Sequence, residues 1–156
     1  MPKKRGKLHM ARRKKITLGQ VVIFVLIITG LVFLVKHTVG FIEENTGGFS
    51  AEKAADYLAG FGWTVKEDKV NVEEITIPAS FSEVYERYNA IQLKQGFDLT
   101  KYKGEKAVKY TFVVTNYKGF DNVEAHVLVK GRKVIGGDIC STELNGFMTG
   151  FDGNTQ

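Results

Sequence analysis

The hydrophobic pattern changes character near residue 36. From Ile16 to Val35 twenty residues carry no charge, and fifteen of them are Val, Ile, Leu or Phe, with Lys15 and Lys36 at the two ends. A helix of that length rises about 30 Å, the thickness of a bilayer's hydrocarbon core. Each large apolar residue favours insertion by about 0.3–0.6 kcal/mol, which outweighs Thr17, Gly19, Gln20, Thr29 and Gly30. The expectation is a transmembrane helix over 16–35. A soluble helix apolar on all sides would need a larger core than the remaining residues can build. A cleavable signal peptide has a shorter apolar run and a small-residue cleavage site, which Lys36-His37-Thr38-Val39-Gly40 does not offer.

After a stalk over 36–49, with Gly40, Asn45, Gly47 and Gly48, the pattern turns amphipathic. Ser50 caps a helix from Ala51 to Phe61, in which Ala54, Ala55, Leu58 and Phe61 recur at helical spacing, and Gly60 and Gly62 end it. Val70, Val72, Ile75 and Ile77 predict a strand whose alternation slips at Glu73-Glu74, the mark of a bulge, before Pro78. Ser80 with Glu83 reads as a capping box for a second helix from Phe81 to about Gln95, with Phe81, Val84, Tyr85, Tyr88 and Ile91 on one stripe and Gly96 as terminator. Strands follow at about Lys106–Asn116, Val123–Lys130 and Lys133–Cys140, with turns at Gly119–Asn122 and Lys130-Gly131.

The last three strands are joined too tightly for parallel crossovers, so the fold class is α+β. A single transmembrane helix precedes a small domain with two helices packed on one face of an antiparallel sheet of about four strands. The segments are a basic cytoplasmic tail 1–15, the span 16–35, the stalk 36–49, the domain 50–150 and a tail 151–156.

Charge sharpens this layout. Lys3, Lys4, Arg5, Lys7, Arg12, Arg13, Lys14 and Lys15 supply eight of the 22 basic residues, which leaves 14 against 17 acidic ones in the rest of the chain. The net charge of +5 therefore belongs to the tail, and a nucleic-acid partner is not expected. Basic residues stay on the cytoplasmic side of a membrane, so these eight determine the topology and the domain is expected outside. The lipid bilayer is the first partner, and another envelope protein or a wall component the second. The single cysteine excludes a disulfide framework within the chain.

Chemistry is sparse. Cys140, His126 and Asp138 would make a nucleophile, a base and an orienting group if they shared a face. A two-residue turn at Lys130-Gly131 turns His126 away from the other two, and a three-residue turn unites all three; hydrophobic segregation leans toward the second. Against this stands the usual fate of a lone cysteine, burial as an inert small hydrophobe. His9, His37 and His126 are not spaced as ligands on one element, so neither a metal nor a cofactor is expected. Tyr88, Asn89, Gln92, Asp98, Tyr102, Asn116, Tyr117, Asp138 and Cys140 form a polar-aromatic group suited to a ligand or partner surface, or to half-buried helix-to-sheet packing.

Two resemblances add to this. Tyr88-Asn89-Ala90-Ile91-Gln92, Gln95-Gly96-Phe97-Asp98-Leu99, Tyr102-Lys103-Gly104, Thr115-Asn116-Tyr117 and Ile135-Gly136-Gly137-Asp138-Ile139-Cys140-Ser141 resemble a clostridial family known as a domain of unknown function, number 4830, over about residues 52–150. That resemblance implies a Gram-positive envelope and a domain behind a single membrane span, and supplies no catalytic residue. Lys15-Ile16-Thr17-Leu18-Gly19-Gln20 faintly resembles the start of type IV pilins and pseudopilins, but Lys15 stands where that family has glycine and Gln20 where it has glutamate. The functional expectation is a non-enzymatic, membrane-anchored, extracytoplasmic binding or assembly module. The alternatives are a wall-facing hydrolase or thiol enzyme using Cys140 and a pseudopilin-like subunit.

Overall fold

The computed structural model describes residues 26–31, 34 and 47–154. The chain separates into two compact units, Met1–His37 and Thr38–Gln156. In the first unit the described residues are helical and exposed. The basic tail, most of the expected span over 16–35 and most of the stalk lie outside the described residues. Among the described residues no helix is long and apolar enough to cross a membrane.

The second unit is built on an antiparallel sheet of five strands in sequence order: β1 (Asn71–Thr76), β2 (Lys106–Val113), β3 (Val123–Lys130), β4 (Lys133–Ser141) and β5 (Met148–Thr149). This corrects the expected four, because the glycine-rich end pairs Met148 and Thr149 with Cys140 and Ile139. Two α-helices complete the unit, α1 (Ala51–Ala59) and α2 (Glu83–Lys94), with short 3-10 turns at Glu67–Lys69 and Leu99–Tyr102. Ser50 caps α1 by accepting from the Lys53 amide. The second cap is Ser82, which accepts from the Tyr85 amide, in place of the expected Ser80.

The two helices do not share a face of the sheet. Cross-strand partners point the same way, so the register sorts the side chains into two sets. Val108, Tyr110 and Phe112 of β2 lie with Ala125, Val127 and Val129 of β3 and with Ile139 of β4, and α1 packs Ala54, Ala55 and Leu58 into the same cluster. Ala107 and Leu128 point the other way, into a smaller cluster with Ile77, Leu99 and Ile135, against which Tyr85 and Tyr88 of α2 pack. Sheet polarity explains the need: a sheet buried on both faces requires an element over each.

This arrangement also explains the slip in β1. Its pairing with β2 runs without interruption from Asn71↔Thr111 to Thr76↔Lys106, so there is no bulge at Glu73-Glu74. Val72 packs against the first cluster and Ile75 against the second. The strand contributes one apolar residue to each face, which a one-sided reading takes for a break in alternation.

Candidate functional site

The chemistry-bearing side chains meet on the face covered by α2, and a bulge in β4 brings them there. The β3–β4 hairpin turns through Gly131 and Arg132, with Lys130 opposite Lys133 and Val129 opposite Val134. The register then shifts, so that Leu128 faces Gly136, and Ile135 is the additional residue. Neither turn considered from the sequence matches this geometry, but its effect equals that of the three-residue turn. His126 faces Asp138, Glu124 faces Cys140, and the side chains of all four lie on one face.

The Asp138 carboxylate is the centre of the group and is 2% exposed. Its Oδ1 lies 2.9 Å from His126 Nδ1, and its Oδ2 accepts the Tyr88 hydroxyl at 2.9 Å. Cys140 Sγ stands 3.8 Å from the same His126 Nδ1, while His126 Nε2 points to Glu124 Oε2 at 3.4 Å. Burial alone would push the imidazole toward its neutral form. The hydrogen bond to Asp138, the contact with Cys140 and the charge of Asp138 outweigh it and raise the His126 pKa to about 10. Burial first, then the charge and hydrogen bond of Asp138, hold the Tyr88 hydroxyl well above the ordinary tyrosine range.

The Asp138 carboxyl and the Cys140 sulfur thus both favour the protonated form of the imidazole. His126 Nδ1, Asp138 Oδ1 and Cys140 Sγ all lie within 4.8 Å of one another and could hold a metal ion. As a nucleophilic site the arrangement is poor. The closer partner of Nδ1 is Asp138 at 2.9 Å, and the Cys140 sulfur stands at 3.8 Å, so the ring nitrogen that a nucleophilic pair needs is engaged by the carboxylate.

Most of the remaining predicted residues support backbone. Asn89 Oδ1 accepts from the Leu99 amide, and Gln92 Oε1 accepts from the Gly137 amide at 2.8 Å. Asp98 caps the 3-10 turn through the amide and hydroxyl of Thr100, and the second of these bonds above all lowers its pKa. Asn116 clamps the loop after α1, accepting from the Thr64 amide and donating to the Gly62 carbonyl. Tyr117 stacks between Trp63 and Phe147, and Tyr102 packs against the smaller cluster. Only Tyr88, Asp138 and Cys140 of the predicted surface group come together. The eight topology-determining residues of the tail lie outside the described residues.

Two residues absent from the expected site matter. Glu124 orients the histidine ring. Gln95 lies where β4 loses its strand neighbour: its Nε2 donates to the Gly137 carbonyl at 3.0 Å and its Oε1 accepts from the Phe151 amide at 2.7 Å. One side-chain amide thus stands in for a peptide unit between the two segments. The Gln92/Gln95 spacing in α2 was visible in sequence, but its partners depend on the bulge.

A separate groove runs along the outer side of α2. One hollow of about 680 Å³ is lined by Tyr57, Phe61, Gln95, Phe97, Phe151 and their neighbours. A second, of about 340 Å³, is lined by Val84, Tyr85, Arg87 and Tyr88, and the two hollows share Ile91 and Met148. Val84, expected on the buried stripe, is 68% exposed. The inward face of α2 instead carries the buried amides Asn89 and Gln92.

No curated protein and no solved structure shows significant similarity to the chain. The family described as Domain of unknown function (DUF4830) matches residues 57–139, a stretch that holds α2, β1 to β3, most of β4, His126 and Asp138 and ends one residue before Cys140. With more than half of its length matched, the chain belongs to that family.

Proposed function

We propose that the domain is a non-enzymatic binding module that captures an extended apolar peptide segment of another cell-envelope component in the groove beside α2. The observation that carries this reading is the continuity of the two hollows through Ile91 and Met148, with Phe61, Val84 and Met148 left exposed along them. Exposed large apolar residues that line one groove mark an interaction surface, whereas scattered ones do not. From Val84 to Lys94 the helix rises about 15 Å, the length of four or five extended residues. That is the scale of a peptide with two or three apolar anchors at alternate positions.

The setting rests on sequence. The uncharged run 16–35 behind eight basic residues favours attachment to a membrane, with the domain on the side away from the tail. The clostridial resemblance favours the envelope of a Gram-positive cell. The wall-facing thiol enzyme is the weaker reading, because Asp138 and not the Cys140 thiol is the near partner of His126.

The test uses Trp63, the single tryptophan, whose Nε1 donates to the Phe151 carbonyl at 2.6 Å beside the groove. Random peptides displayed on phage are selected against the full chain in nanodiscs, and binding of the winners is followed by Trp63 emission. Winners should share large apolar residues at alternate positions and lose binding in Val84→Lys and Met148→Lys. Winners without apolar anchors, or binding indifferent to both substitutions, would refute the reading.

A further inference from the structure

The bulge in β4 gathers one nitrogen, one oxygen and one sulfur donor on a single face, in a geometry close to that required by a tetrahedral cation. We propose that His126 Nδ1, Asp138 Oδ1 and Cys140 Sγ form a binding site for a divalent cation of the zinc class, with the fourth position open to water or to a ligand atom. This inference does not rest on the groove reading, although Tyr88 belongs to both the second hollow and the cluster.

The distances fit. Around zinc, with bonds of about 2.0–2.3 Å, neighbouring nitrogen and oxygen ligands stand about 3.3 Å apart and nitrogen and sulfur about 3.6 Å. The corresponding separations are 2.9 Å and 3.8 Å. The third pair, Asp138 Oδ1 and Cys140 Sγ, lies within 4.8 Å, against about 3.6 Å around zinc, so the carboxylate and the thiol would have to draw together on the ion. Donor chemistry selects the ion: thiolate with imidazole and a single carboxylate suits zinc and its neighbours, and does not suit calcium or magnesium, which take oxygen.

The surroundings are those of a ligand set already oriented. Glu124 Oε2 faces the outer ring nitrogen of His126 at 3.4 Å, which leaves Nδ1 for the ion. The Tyr88 hydroxyl holds the outer oxygen of Asp138 at 2.9 Å, which leaves Oδ1. Ligating histidines and carboxylates characteristically make such outer contacts, which fix ring and carboxylate orientation before the ion arrives. An entry path exists on the histidine side, where the His126 side chain is 16% exposed and that of Glu124 37%. A cation is held by the neutral imidazole, the carboxylate and the thiolate, so its affinity should fall as the pH is lowered.

The test takes the untagged full chain in detergent, stripped with a chelator. Titration with zinc should give one ion per chain. Cobalt(II) substitution should give a sulfur-to-cobalt charge-transfer band together with the visible bands of a four-coordinate ion. Cys140→Ser should abolish the charge-transfer band. Tyr88→Phe, which removes one hydroxyl, should weaken zinc binding about ten- to hundredfold at unchanged circular dichroism. Should Cys140→Ser fail to fold, the cobalt spectrum of the parent decides. A folded parent that takes up no zinc, a cobalt complex lacking the sulfur band, or a Tyr88→Phe protein with parental affinity would overturn the proposal.

Discussion

Asp138 lies directly opposite His126 in the β3–β4 ladder, Oδ1 against Nδ1 at 2.9 Å, and it does so because β4 carries one residue more than its partner. Had the pairing continued unbroken from Lys130↔Lys133, Asp138 would face Ala125 on the opposite side of the sheet. The bulge at Ile135 therefore decides whether the cluster exists.

Gly137 is the position where this device is most exposed to mutation. A Cβ there would press on the His126 carbonyl and on the Phe151 ring, and backbone on one side leaves little room to yield. Gly137→Ala should cost about 2–3 kcal/mol in urea unfolding. It should also shift the His126 ring resonances, because the crowded carbonyl belongs to that residue.

Gln95→Ala should leave the Gly137 carbonyl and the Phe151 amide without their protein partner, at a cost of about 1–3 kcal/mol. Gln95→Glu keeps an acceptor for Phe151 and loses the donor to Gly137, so it should fall between the parent and the alanine variant. Hydrogen exchange at the Phe151 amide should accelerate in Gln95→Ala and stay close to parental in Gln95→Glu.

Asp98 gives a pH dependence with a definite sign. Its hydrogen bonds from Thr100, the side-chain one foremost, hold its pKa below the ordinary 3.8. A carboxylate lowered on folding contributes stability that is present above the unfolded pKa and is lost as the pH falls through the folded one. Thr100→Ala should return the Asp98 pKa toward 3.8 in a carboxyl-detected titration and flatten that acid-side loss. An unchanged Asp98 titration would show that the Thr100 bonds are not the cause.

How far the sequence reached differs by element. Both helices and the first four strands were readable, the helices because period and terminating glycine agree; Gly96, for instance, takes φ of 83° where α2 ends. The inward face of α2 was not readable. An apolar stripe is assumed to point at the core, but this helix turns Asn89 and Gln92 inward, where their amides satisfy the backbone at Leu99 and Gly137. That leaves Val84 outside. The short β5 escaped because two residues carry no period. The cluster at His126 stood in the sequence as one of two registers, and hydrophobic segregation leaned toward it; the device that produces it, a single inserted residue in β4, was not readable, because no local preference reveals an insertion whose partner lies on another strand.

The glutamine from α2 that takes the place of a peptide unit beside β4 also determines what the sheet can do in company. A strand of β4's length, with only Met148 and Thr149 alongside it, would otherwise offer its free flank to any passing chain. With amides from Gln92 and Gln95 on the donor and acceptor of Gly137, the backbone of that position already has its partners and is not offered to a strand of a second copy.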